Sequence, residues 1–61
     1  GLPNLRISFL GAAGDRASAM INYQKVLEDD YIPNTNARVI AITMRGVAIE
    51  IDGDRYFLRK R

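Results

Sequence analysis

The sequence contains no cysteine and no histidine. The first absence excludes a disulfide framework, and the two together exclude a Cys/His zinc site. They also remove the commonest general base and the best side-chain nucleophile, so an enzyme reading fares badly. Ser8 and Ser18 have no candidate base near them in sequence. Tryptophan is absent too, and no apolar run approaches the ~18 residues that suggest a membrane-spanning helix. Net charge is small: nine basic residues face seven acidic ones, leaving +2 and a weak mean field. Lack of cysteine suits any compartment and assigns none. No segment repeats and none is of low complexity.

What is present suits a folded domain. Hydrophobic residues make up 48% of the chain, which argues against disorder. Its 61 residues allow one domain. A chain this short buries only about 60% of the surface its unfolded form exposes. With no disulfide or zinc staple, stability must come from packing, completed by a partner or by the rest of a longer protein. The chain opens on GLPNL without a Met. We expect residues 1–61 to be a single domain excised from a longer protein.

The C-terminal half carries the clearest pattern. Asp52-Gly53, flanked by alternating hydrophobics, is a strong hairpin signal, because a type I′ turn needs positive φ at both central positions. It pairs Ile51 with Asp54, Glu50 with Arg55, Ile49 with Tyr56 and Val47 with Leu58. A second turn signal at Arg45-Gly46 pairs Met44 with Val47, Ile42 with Ile49 and Ile40 with Ile51. Both turns give one inner face: Ile40, Ile42, Met44, Val47, Ile49, Ile51, Tyr56 and Leu58. The pattern predicts a three-stranded meander over about residues 37–59. The opposite face would carry Val39, Ala41, Ala48 and Phe57, apolar enough to suggest a second core layer in a small sandwich or barrel.

Near the other end, LRISFL also alternates, with Leu5, Ile7 and Phe9 on one side and Arg6 and Ser8 on the other. It reads as a half-buried strand with Phe9 anchoring the core, followed by a GAAGD loop. Free of proline and close to a chain end, it is a template for pairing with another chain if it lies at a sheet edge. The middle is ambiguous. DRASAMINYQKVLEDD fits a helix capped by Asp15, which propensity favours, and also a hairpin turning at Asn22-Tyr23. YIPNTNA reads as a loop.

Candidate chemistry is sparse. Glu28, Asp29 and Asp30 are adjacent acids without the spacing of a calcium loop, and read as a solvated turn. Asp52 and Asp54 flank a glycine because turns favour Asp. No metal or cofactor site is expected. The competing class is a small basic β-barrel that binds single-stranded nucleic acid by stacking bases over a basic groove. On the outer face only Phe57 joins Arg55 and Arg59, Glu50 partly cancels Arg55, and no RNA-binding motif is present. One ring and two arginines make a thin platform, so nucleic acid is the alternative and not the expected partner. The terminal RKR reads as a solubilising end.

In order along the chain, LPNLRIS, DRASAMIN, VLEDD and ARVIAITMRGVAIEIDGDRYFL resemble the C-terminal periplasmic domain of type II secretion protein B, the general secretion pathway B family. The residues that match are Leu2, Pro3 and Leu5; Asp15, Ile21 and Asn22; Leu27, Glu28 and Asp29; Ile40 and Ile42; Gly46 and Val47; Gly53, Phe57 and Leu58. The resemblance covers nearly the whole chain. Each motif is short and generic for β structure, so its specificity lies in order and spacing. The family commonly has Gly after the Asn, where this chain has Tyr23, so a wider turn is expected there. Asp30 and Tyr31 extend past the acidic turn, where the family prefers a single Gly-Asp.

The resemblance implies an all-β module of two short antiparallel sheets, a small sandwich or partly open barrel, with the middle segment a hairpin. It implies a non-enzymatic periplasmic domain of a single-pass inner-membrane protein. The implied partner is the N-terminal periplasmic domain of the outer-membrane secretin, with other inner-membrane secretion components as further candidates. The implied task is to help the secretin assemble or stay placed. On this reading Leu5, Arg6, Ile7, Ser8, Phe9 and Leu10 would bind the partner by β-strand addition, and Arg55 and Arg59 would act as rim charges.

Overall fold

A computed structural model describes residues 4–60, the side chain of Ala13 excepted. Leu2, Pro3 and Arg61, which figure in the motifs above, lie outside the described residues. The described chain is all β. Strands β1 (Ile7–Ala13), β2 (Arg16–Ile21) and β3 (Gln24–Leu27) form one antiparallel sheet in that order. Strands β4 (Arg38–Ile42), β5 (Gly46–Ile51) and β6 (Asp54–Arg59) form a second. The sheets face each other over one core and do not close into a barrel. Ile7, Ala19, Ile21 and Val26 come from the first sheet, Val39, Val47 and Ile49 from the second, and Ile32 and Ala37 from the connection between them.

Three tight turns set the registers. Asp52 and Gly53 both have positive φ, 52° and 84°, and Ile51 pairs Asp54 with the rest of β5–β6 in the predicted register. Asn22 and Tyr23 do the same at 51° and 65°, so the ambiguous middle is a hairpin with Ile21 opposite Gln24. The helix that propensity favours is absent because the hairpin buries Ala19, Ile21 and Val26 on one face and adds a ladder. The Asn22-Tyr23 turn is no wider than a two-residue loop, and Tyr23 itself takes the left-handed conformation. Gly14 has φ 68° and Asp15 does not, the type II′ arrangement. The expected GAAGD loop therefore shrinks to Gly14-Asp15, and β1 continues to Ala13.

Two bulges overturn parts of the predicted face assignment. At the β4–β5 hairpin the predicted Arg45-Gly46 turn is replaced by a longer one. Ile42 pairs Val47, Ala41 pairs Ala48 and Val39 pairs Ile49, with a register shift at Ile40. Gly46 is not a turn residue but lies in β5 opposite Arg59, where a Cβ would collide with the Leu58 carbonyl oxygen. Thr43 shapes the turn instead: its N–H and hydroxyl both donate to the Gly46 carbonyl, at 2.9 and 3.2 Å. Met44, predicted inside, is therefore at the exposed turn tip, while Val39, predicted outside, is fully buried. Ile40, Ile42, Ile51 and Leu58 are half-buried, and Tyr56 is on the margin of exposure. Ala41, Ala48 and Phe57 lie in one cross-strand row on the outer face, partly open and not a second buried layer.

The second shift lies at Ser8, between Ile7 and Phe9 in β1. It turns Phe9 out of the core, against expectation, and lets Leu10 pack inward. The Phe9 ring covers Gly11, where an added Cβ would sit 2.5 Å from Cε2. The connection after β3 pairs with β4 through a Tyr31–Arg38 bridge and carries Ile32, which is 1% exposed. Ile32 donates its N–H to Ala37 and accepts from Thr35 through both backbone and hydroxyl, so the predicted loop is a plug into the core.

Candidate functional site

In a two-sheet fold each outer strand presents unpaired backbone groups, and four such edges exist here. Two are occupied by the acidic knot. The Leu27 N–H in β3 donates to Asp30 Oδ2 at 2.9 Å. On β4, Asp29 N–H donates to the Val39 carbonyl and Val39 N–H to the Asp30 carbonyl, both at 2.8 Å. Ile42 N–H donates to Glu28 Oε2 at 3.2 Å. All three acids thus hold structural partners, Asp29 and Asp30 sharing Val39, and Asp29 also meets Arg38 at 3.2 Å. Among the described residues, no cluster of three side chains is arranged to hold a metal ion.

The other two edges, β1 and β6, carry no side-chain cap among the described residues. They flank a cleft of about 920 Å³. Residues 4–8, Asn22, Tyr23, Arg59 and Lys60 line it. Asn22 holds the entry to β1 in place. Its Oδ1 accepts from Arg6 N–H at 2.9 Å, its own N–H donates to the Arg6 carbonyl at 2.9 Å, and its Nδ2 donates to the Asn4 carbonyl at 3.1 Å. Because Arg6 is bonded to Asn22 through both backbone groups, ladder alternation turns the N–H and carbonyl of Ile7, itself 6% exposed, away from β2. Lys60 N–H donates to the Arg45 carbonyl at 3.1 Å, which fixes the tail of β6.

The structure brings Leu5, Arg6, Ile7 and Ser8 together with Arg59 on this cleft. Phe9 and Leu10 belong to the same strand but do not line it. Arg55 is elsewhere. It faces Glu50 at 3.8 Å in a row that continues from Glu50 to Arg38 at 3.6 Å on the outer face of the second sheet. Asn4, Asn22, Tyr23 and Lys60 are cleft residues that sequence reading did not select. The only signal for Tyr23 was its place where a glycine would fit a tight turn more easily.

No family model matches the chain, and no curated protein or solved structure matches it.

Proposed function

We propose that this is a non-enzymatic interaction domain of the type II secretion system, which binds the N-terminal periplasmic domain of the outer-membrane secretin. The interaction is β-strand addition at β1, with main-chain hydrogen bonds supplying register and alternate side chains selectivity. The domain then aids assembly or placement of the secretin, from the periplasmic part of a protein with one inner-membrane anchor. The observation that carries this reading is the contrast between edges: β3 and β4 are capped by Glu28, Asp29 and Asp30, whereas β1, like β6, has no such cap and contributes Ile7 and Ser8 to a cleft. The family resemblance supplies the partner's name. Residues 5–10 supply the edge, and Arg59 supplies a rim charge that affects on-rate more than affinity.

The test is a nitrogen-15 NMR titration with the purified N-terminal domain of the secretin. The reading predicts shifts concentrated at residues 5–10, with little change on the outer face of the second sheet. No shifts at high concentration would reject that partner for this domain. Single-stranded nucleic acid is the second reading, favoured by the basic side chains of Arg6, Arg59 and Lys60 beside the exposed Tyr23 ring. Salt-dependent retardation of a single strand by a domain that ignores the secretin would establish it.

A further inference from the structure

The β1–β6 cleft has a chemistry of its own. Three cations line it, Arg6, Arg59 and Lys60, and no acidic side chain does. None of the three forms an ion pair among the described residues, whereas Arg38 and Arg55 are both paired on the other face. Its β1 residues also belong to a strand edge, with the backbone groups of Ile7 turned away from β2. Tyr23 also lines it, 82% exposed and held at φ 65°, a conformation that glycine would adopt more cheaply. An outlier of this kind, kept with its ring in solvent at the rim of a cleft, points to a contact role.

We propose that this cleft receives an extended acidic peptide segment. Its backbone pairs with β1 at Ile7, its carboxylates meet Arg6, Arg59 and Lys60, and one of its side chains packs on the Tyr23 ring. The proposal rests on the strand-addition reading of β1 and adds the chemistry of the segment that docks. A volume of about 920 Å³ is at the upper end for a small-molecule site and suits several residues of extended chain. A peptide fits better than a nucleic acid for two reasons. A strand edge offers alternating donors and acceptors that a peptide backbone matches and a phosphodiester does not. Non-specific single-strand binding uses several aromatic platforms, and this cleft presents one ring.

The test uses a capped Thr-Glu repeat peptide of about eight residues, long enough to span a typical strand, with a Thr-Lys repeat as control. Titrated into the labelled domain, the acidic peptide is expected to shift the amides of Ile7, Ser8, Tyr23, Arg59 and Lys60. Raising salt from about 50 to about 500 mM should weaken it roughly tenfold. The exposed double substitution Arg59→Glu, Lys60→Glu should weaken it by a similar factor and create binding of the Thr-Lys peptide, while Arg55→Glu leaves it unchanged.

Equal binding of both peptides, shifts confined to the outer face of the second sheet, or no binding at all would overturn the proposal. So would a single-stranded oligothymidylate that shifts the same amides more tightly than the acidic peptide. Secretin-domain shifts at β1 with no response to the acidic peptide would sink this proposal and leave strand addition standing. The acidic peptide binding while the secretin domain does not would uphold this proposal and sink the assignment of partner.

Discussion

Tyr23 and Gly46 hold positions that a generic side chain would not choose, for opposite reasons. Tyr23 occupies the second central position of a type I′ turn at φ 65°. Tyr23→Gly should stabilise the domain by about 1 kcal/mol in urea melts, because glycine removes the left-handed strain, partly offset by the freer unfolded chain. Gly46 is buried in β5 with the Leu58 carbonyl where its Cβ would be. Gly46→Ala should therefore cost about 1–3 kcal/mol, the range for overpacking, and the same melts read it. Ile32 is the third informative residue. Buried from a connection, it should lose about 2–5 kcal/mol on change to Ala. In a domain this small that loss approaches the whole folding margin. If Ile32→Ala melts like the parent, the connection is not part of the core.

At the scale of elements, the hairpins were legible and the bulges were not. Asp52-Gly53 announced its turn because glycine and aspartate supply positive φ locally, and the β5–β6 register followed from it. The Asn22-Tyr23 hairpin was legible only as one of two options, since the local propensities of Ala, Met, Gln, Lys and Leu favour helix and the pairing that overrides them is tertiary. The shifts at Ser8 and Ile40 have no local signature. Each arises from how one strand meets its neighbour, and each flips the residues beyond it, which is why Phe9 and Val39 changed sides, while Met44 left the inner face because the turn is longer than predicted. Likewise the residues of β1 were readable as a strand, but that it is an uncapped edge became visible only in the fold, where Glu28 and Asp30 cap β4 and β3 and leave β1 and β6 without such a cap. Arg55 illustrates the same limit. It sits opposite Glu50 in the ladder, so Arg55→Glu places like charges across a strand pair. It should cost up to about 1 kcal/mol in stability while leaving binding at the cleft intact. Calorimetry and the titration above separate the two effects.

At the scale of the molecule, the two sheets make one compact body, with a seam between β1 and β6 among the described residues. The radius of gyration, 10.3 Å, matches the ~10.5 Å expected of a compact chain of this length, so both sheets belong to a single unit. No ladder joins β1 to β6 among the described residues, and residues 4–8 and 59–60, remote in sequence, line one cleft. Arg59 and Lys60, read from the sequence as part of a solubilising end, line the same cleft as Arg6. A segment filling the seam should raise apparent stability as well as bind. At a free partner concentration about 100 times Kd, unfolding should become harder by about 2.7 kcal/mol, seen as a concentration-dependent rise in Tm.

Strand addition requires β1 to be the docking edge. Amide hydrogen exchange of the domain, alone and with the secretin's N-terminal domain at saturation, tests this most directly. Strand addition predicts that the outward amide of Ile7 and its alternate neighbours along β1 slow by roughly a hundredfold or more in the complex, as open edge groups become ladder bonds. A saturated complex in which β1 amides exchange as fast as in the free domain, with protection gained elsewhere, would contradict it.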